Sequence, residues 1–537
     1  MVVIKEATPS LRKLYGENFI PEVEKYSEVI GYSTEKDEDE FRVEFNPDRP
    51  DLFSFSQIKR AMEIFYGKKR WQPLNIGGGQ SDFIIDKSVR NLRKYVIGFH
   101  CRGGRIGEHF RELIDYQEKL HLSIGRDRAK VSIGIHDGKD LRLPLTYSAR
   151  NSSEVSFTTY DGTVTGTAKE ILNKHPKGIE YAHLIPSGNL VPLIEDSDNR
   201  VLSMPPVVNG NATAVTEDTA TFFIDITGTD IKPVKEAFFL LAYYFQNLEY
   251  EITGSNLNDI EDFLSSDGRK ISVSLREVEQ ILGQKISTKE CKFLLEKMGF
   301  GAEVKEEGLM VMVPGNRNDV MGPVDIIEDV AKGYGYGNLS LHMPTMDVIG
   351  AEASGNQIAS NIRNIMTGLG YQEIMTFVVS KQDHYQNAKY SGGIQIRNPK
   401  SQDFSVVRDR LYLGSLDFLR LNKRRTLPQM IFEIGEIVSN GKQYTHICAA
   451  KIHSKSTFSD MKQVLDALTT RLTLEKYEIR PTDHENFVPG RTGKIFVDGK
   501  EIGILGEIHP QTLDQYELKN PVVVIELDVT NASKLID

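Results

Sequence analysis

Residues 323–334, PVDIIEDVAKGY, constrain this chain more than any other stretch. Ile326, Ile327 and Val330 recur at helical spacing, and such an apolar stripe is stable only when it packs against a core. Asp325, Glu328 and Asp329 stand at i, i+3 and i+4, which puts three carboxylates on one helical face. Each like-charge pair costs about 0.2–0.5 kcal/mol unless something neutralises it. Asp319, on the incoming loop, adds a fourth. Two neutralisers are open. Acids in a first turn face the positive end of the helix dipole, Pro323 marks such a start, and Asp325 with Glu328 has the look of a capping box. Alternatively the four acids hold a cation. Hard carboxylates with no His or Cys beside them favour Mg²⁺ over zinc, and an incomplete protein shell suits an ion that keeps several waters.

The chain has 537 residues, too many for one hydrophobic core, so several domains of roughly 70–200 residues are expected. Hydrophobic residues make up 39% and charged residues 26%, and no apolar run approaches the roughly 18 residues of a membrane helix. The opening, MVVIKEATPSLRKLYG, lacks the continuous apolar core of a secretory signal. Cys101, Cys291 and Cys448 lie too far apart for a disulfide framework or a metal knuckle. A reducing cytoplasm is the expected setting. The formal charge of −10 argues against a broadly basic surface, so any nucleic acid contact is local or shared with another subunit.

Texture divides the chain. Up to residue 80, Phe41, Val43 and Phe45 alternate as in a half-buried strand, and Ile58, Ala61, Met62 and Phe65 follow at helical spacing. The stretch NIGGGQSD (75–82) has no following Lys-Ser/Thr and reads as a linker, not a phosphate loop. Residues 83–265 mix strand-like runs (RKYVIGFHCRGG, RAKVSIGIHDG, TATFFIDITGTD) with helical patterns at FRELIDYQEKLHLSIG and IKPVKEAFFLLAYYFQ, as in a mixed α/β domain. In 270–340, the short helix SLREVEQILGQ and the helix STKECKFLLEKMGFG, with Ser287 and Glu290 spaced as a capping box and Gly299 as its stop, precede two strand-like pieces. Two helices and a β-ribbon describe a winged-helix-like unit. From 345 to 537 a mainly antiparallel sheet with flanking helices is expected, with a hairpin turn at Asp498-Gly499. The fold class is therefore α+β and multidomain.

The segment 317–336, with its Arg-x-Asp start, an Asp six residues on, an acidic pair and a terminal Tyr-Gly-Tyr, resembles the B5 domain of the phenylalanyl-tRNA synthetase β-subunit family, archaeal and eukaryotic type. NPDRPDLFSFSQIKRAMEIFYG is similar to that family's amino-terminal module. KVSIGIHDGKDLRLPLTYSA, VLSMPPVVNG and FFIDITGTD resemble its B3/B4 domain. IRNPKSQDFSVVRDRLYLGSLDFLRLNKRR, QMIFEIGEIV, FVPGRTGKIFVDGK and IGILGEIHP resemble its class II synthetase-like carboxy-terminal domain. The resemblance spans nearly the whole chain, in order.

It implies a magnesium role for Asp319, Asp325, Glu328 and Asp329. It implies a synthetase-like domain with no aminoacylation residue of its own, since GILGEIHP offers Glu507 and His509 where an ATP-gripping arginine is needed. Arg408, Arg410, Arg424 and Arg425 read either as phosphate clamps or as interface or solvated charge. The B3/B4 resemblance implies an editing pocket for tyrosine wrongly esterified to tRNA(Phe). Asn209, Asp225, Thr227 and His121 are candidate polar lining. Each also has a plain reading: Asn209-Gly210 as a turn, Asp225 at a strand end, His121 as a surface or capping group. The partners implied are a catalytic α subunit in an α₂β₂ assembly, tRNA(Phe), and ATP with phenylalanine through that subunit. Two other readings stay open, a stand-alone nucleic-acid-binding protein and a free-standing editing hydrolase. The first predicts a basic recognition helix, yet Lys289, Lys292 and Lys297 are balanced by Glu290 and Glu296.

Overall fold

The computed structural model of the chain describes residues 2–530 apart from 38, 79–81, 187, 256–266, 307, 344–348, 389–391 and 473–475. Two units separate, Met1–Pro344 and Thr345–Asp537.

In the first unit, the alternation at Phe41, Val43 and Phe45 becomes the strand Glu40–Phe45, buried at every second residue and central between Val2–Ala7 and Ser33–Lys36. Its apolar face packs with the helices Phe19–Ile30 and Phe55–Phe65, and the Ser54 hydroxyl caps the second of these by accepting from the Gln57 N–H. Two five-stranded sheets follow. One runs Ile76–Gly77, Glu251–Gly254, Tyr95–Arg102, Thr221–Gly228, Val131–Asp137 and packs its apolar residues with the helices Phe110–Leu122 and Ile231–Asn247. The other runs Val208–Asn209, Val201–Met204, Leu190–Glu195, Leu145–Asn151, Phe83–Ile85. The expected linker is in part structural, because Ile76–Gly77 pairs in parallel with Ile252 and Thr253; residues 79–81 of it lie outside the described residues.

Further on, Ser274 and Glu277 form a reciprocal capping box on the helix Leu275–Leu282, and Ser287 caps Thr288–Lys297. Between that second helix and the helix Pro323–Tyr334 the chain forms the strands Gly301–Lys305 and Gly308–Val313. The expected β-ribbon is a three-stranded sheet, because Arg269–Ser274 pairs along the outer side of Gly308–Val313.

The second unit is built on a seven-stranded sheet, antiparallel except where Gln372–Glu373 pairs in parallel with Gln429–Ser439. Successive residues serve opposite faces, as the pleat requires. Ile431, Cys448, Val522 and Val524 join a core with the helix Tyr412–Leu421, whereas Phe432, Ala449, Val523 and Ile525 join another with the helices Ser354–Gly368 and Phe458–Arg471. The hairpin turn at Asp498-Gly499 has both residues at positive φ, 49° and 77°.

Candidate functional site

A cavity of about 560 Å³ opens in the first unit, where the strand Val131–Asp137 and the helix Phe110–Leu122 face Ser203 and the Pro205–Asn209 segment of the other sheet. Its walls are mainly apolar, with Ile114, Ile133, Ile135, Val207, Val208 and Val215, and a few polar groups converge on it. The most deeply placed is Asp225, 1% exposed in the middle of Thr221–Gly228. His136 Nε2 lies 2.8 Å from Asp225 Oδ2, and the Ser203 hydroxyl 3.4 Å from the same oxygen. A carboxylate only accepts, so Nε2 donates, leaving Nδ1 to accept from the Thr213 hydroxyl at 2.8 Å. Among the described residues nothing hydrogen-bonds to Asp225 Oδ1.

Backbone register makes room for this carboxylate. Gly134 stands opposite Asp225, and a Cβ there would lie 2.0 Å from Asp225 Oδ2 and 2.7 Å from His136 Nε2. Arg126, Asp127 and Arg128 take three successive left-handed conformations, at φ 46°, 52° and 63°, and carry the Arg128 guanidinium into the cavity wall. There Arg128 donates to Glu118 at 2.7 Å and to the Val207 carbonyl at 3.0 Å, and lies 4.6 Å over the Tyr181 ring. Burial raises the Glu118 carboxyl, but His121, Arg128 and Lys177 outweigh it and hold the group down at about 2.

Of the four candidate lining residues, Asn209, Asp225 and His121 line this cavity, and Thr227 does not. The plain readings are corrected. Asn209 belongs to a strand and donates to the Ile135 carbonyl at 3.4 Å, Asp225 is at mid-strand, and His121 is a buried member of its helix whose Nε2 accepts from the Ile133 N–H at 2.8 Å. The Thr227 hydroxyl accepts from Arg93 at 3.0 Å. His136, Thr213, Ser203 and Glu118 were missed. The signal for His136 was its place in the strand VSIGIHD, of which only the last residue, Asp137, is not fully buried.

The family model described as the phenylalanyl tRNA synthetase beta chain CLM domain matches residues 340–529, and the tRNA synthetase B5 domain model matches 271–336. The phenylalanine–tRNA ligase beta subunit of Thermoplasma volcanium is 41% identical across 100% of this chain and 99% of that protein. The chain belongs to the phenylalanine–tRNA ligase β-subunit family. The β subunit of Archaeoglobus fulgidus is 35% identical over 94% of this chain and 93% of its own length. A crystal structure of an N-terminal fragment of the phenylalanyl-tRNA synthetase β subunit from Pyrococcus horikoshii superposes with a TM-score of 0.56 at 28% identity, covering 62% of this chain and 100% of that one.

In this member of the β-subunit family the four acids do not form one donor set. Asp319 accepts two bonds from Arg317, at 2.9 and 2.7 Å, and Asp329 accepts from the same guanidinium. Asp325 accepts from the Met321 and Gly322 N–H groups at 2.7 and 2.8 Å, reaching back from the first turn of its helix to the N-cap Gly322. Glu328 is exposed and pairs with Lys332 at 3.1 Å. Among the described residues no three His, Cys, Asp or Glu side chains are grouped to hold a metal. The arrangement therefore does not fit Mg²⁺ at these four positions, because Asp319 and Asp329 Oδ2 already answer Arg317, the other two acids pair elsewhere, and only Asp329 Oδ1 is left without a partner among the described residues. Asp325→Ala is expected to cost about 1 kcal/mol of stability through the lost bonds to the Met321 and Gly322 N–H groups. The urea midpoint of the variant should fall equally with and without Mg²⁺; a loss seen only with the ion present would restore the metal reading.

In the second unit Arg408 is no phosphate clamp. Its guanidinium is buried and donates to Glu433 at 2.8 Å, the Thr376 hydroxyl at 2.7 Å and the Glu436 carbonyl at 2.8 Å. Glu507 answers Arg491, and Arg424 and Arg425 are exposed.

Proposed function

We propose that this chain is the noncatalytic half of a phenylalanine–tRNA ligase, assembled with a catalytic α subunit as α₂β₂, and that its cavity hydrolyses tyrosine misattached to tRNA(Phe). The amino-terminal, B3/B4-like, B5-like and class II synthetase-like regions of the resemblance are carried over as 1–80, 83–265, 270–340 and 345–537. The full-length likeness to ligase β subunits supports the first part. The self-paired Arg408 supports an inactive synthetase-like domain, so ATP, its magnesium and phenylalanine are placed on the α subunit.

The observation that carries the editing reading is Asp225, a buried carboxylate with one oxygen unspoken for among the described residues in a cavity whose walls are mainly apolar. A tyrosyl ring fills such a cavity, and its phenol donates to Oδ1. A phenylalanyl ring would leave that oxygen desolvated and unpaired, and sites built to bond a hydroxyl reject the analogue lacking it by about 10⁴–10⁵. The chain's part in hydrolysis is to hold the ester while water attacks the acyl carbon; the bond from that carbon to the ribose oxygen breaks, and the ribose hydroxyl leaves with a proton.

Co-expression with a synthetase α chain should yield a particle of heterotetramer size on gel filtration, and the purified complex should release tyrosine from tyrosyl-tRNA(Phe) faster than phenylalanine from the cognate ester. A monomer with full deacylase activity would favour the free-standing hydrolase instead.

A further inference from the structure

A second cavity, about 70 Å³, lies where all three parts of the first unit meet. It is lined by Arg49, Gln57, Arg60 and Trp71 from the amino-terminal region, by Asn247 at the end of the helix Ile231–Asn247, and by Arg317. Its walls are rich in buried donors that make no close hydrogen bond, with the Tyr116 and Tyr243 hydroxyls beside Gln57 and Trp71 and no acceptor within bonding reach of the other two among the described residues. Gln57 Nε2, Arg60 Nε, Trp71 Nε1 and Arg317 Nη1 are all buried without a hydrogen-bond partner among the described residues. Arg317 and Gln57 are 5% and 3% exposed, and the Gln57 amide oxygen accepts from Asn247 at 2.7 Å, so its nitrogen is the free end. Leaving buried donors unmade is costly, and four on one small cavity call for a common acceptor.

Most carboxylate oxygens nearby are already taken, Asp329 Oδ1 being the buried one left without a partner among the described residues. Asp51 accepts two bonds from Arg49, at 2.8 and 2.7 Å. Asp319 and Asp329 accept from Arg317. Asp267 accepts from Tyr243, Leu74 and Gly315. Arg60 is the uncompensated cation. It forms no ion pair among the described residues, and its one hydrogen bond is a long one, 3.4 Å, to the Arg70 carbonyl. Burial lowers its pKa, with Glu63 and Glu249 too weak to offset the effect.

We propose that this cavity is a binding site for a small tetrahedral oxyanion of the phosphate or sulfate type, held by Arg60, the free N–H of Arg317, Trp71 and Gln57. The volume is that of about two waters, enough for such a group and too little for a nucleotide. Guanidinium groups suit it because their planar forks match two oxygens of a tetrahedral anion. Bound there, the anion joins the three regions at one point.

Trp71 is the single tryptophan of the chain, so its fluorescence reports this cavity alone. The full-length chain is titrated with sodium phosphate against sodium chloride of equal ionic strength and pH. Phosphate is expected to change Trp71 emission along a saturating curve and to raise the midpoint of thermal unfolding by on the order of 2 °C. Arg60→Met should abolish both responses, each variant being compared with itself in the two salts, and Lys68→Met, an exposed cation elsewhere, should keep them. Equal behaviour in phosphate and chloride would overturn the site, as would a phosphate response that survives Arg60→Met.

Discussion

Asp225→Asn is expected to slow deacylation of tyrosyl-tRNA(Phe) by about 10²-fold or more, on the scale seen when one buried, pre-aimed polar group is lost from an active site. His136 Nε2–H claims one oxygen of the carboxylate, at 2.8 Å. In the amide that claim uses the only oxygen, and the nitrogen turns into the cavity. A donor then meets the phenol where a lone pair stood, so the tyrosyl ester loses its distinction from the phenylalanyl ester. The measurement is a single-turnover deacylation assay on the complex with both esters, with phenylalanylation read separately. Gly134→Ala reaches the same end without altering charge, since its Cβ would lie 2.0 Å from Asp225 Oδ2 and must displace the carboxylate. Wild-type discrimination in both variants would remove Asp225 from the reading.

Arg317→Met is expected to cost about 3–5 kcal/mol, the largest stability effect of any substitution considered, because it strands the buried Asp329 and the half-buried Asp319 together. Arg317 and Asp329 are 5% and 2% exposed, and Arg317 also lies 4.6 Å over the Phe300 ring. The two acids respond to pH in opposite ways. Arg317 outweighs burial for Asp319 and lowers it to about 2, so its stabilising part is complete above the ordinary carboxylate range and fades as pH falls from about 4 towards 2. For Asp329 burial wins and the carboxyl is raised, so keeping it ionised works against the fold as pH rises through that raised value. Urea unfolding of the full chain should show the loss, and adding Asp319→Asn and Asp329→Asn to Arg317→Met should recover much of it. If the triple variant is no more stable than the single, the loss comes from packing on Phe300 instead.

Local structure was the legible part of the chain. Periodicity at 41–45, 55–65, 231–247 and 287–297 predicts the elements found there, because each is decided by which side of a strand or helix meets the core. The acidic cluster shows where such reading stops. Spacing puts Asp325, Glu328 and Asp329 on one helical face, yet Asp329 is buried and Glu328 exposed; the guanidinium that answers Asp329 and the loop acid Asp319 sits on the loop at Arg317, and nothing in the spacing says whether the counter-charge is an arginine or an ion. The cavity was harder still. Asp225 and His136 are 89 residues apart and meet only because their strands are neighbours in a sheet, while Ser203 reaches them from a different sheet. Asn209-Gly210 has the composition of a turn, yet it extends, because pairing of Ser203 with Asn209 outweighs the local preference.

Arg49 lies 4.0 Å from Asp319 across the amino-terminal and B5-like regions. The two regions thus meet through a charge contact between a buried arginine and a half-buried carboxylate. A chimera that imports residues 269–336 from a relative should be more stable when the residue at position 49 is imported with them, because a charge on one segment is balanced in part from the other.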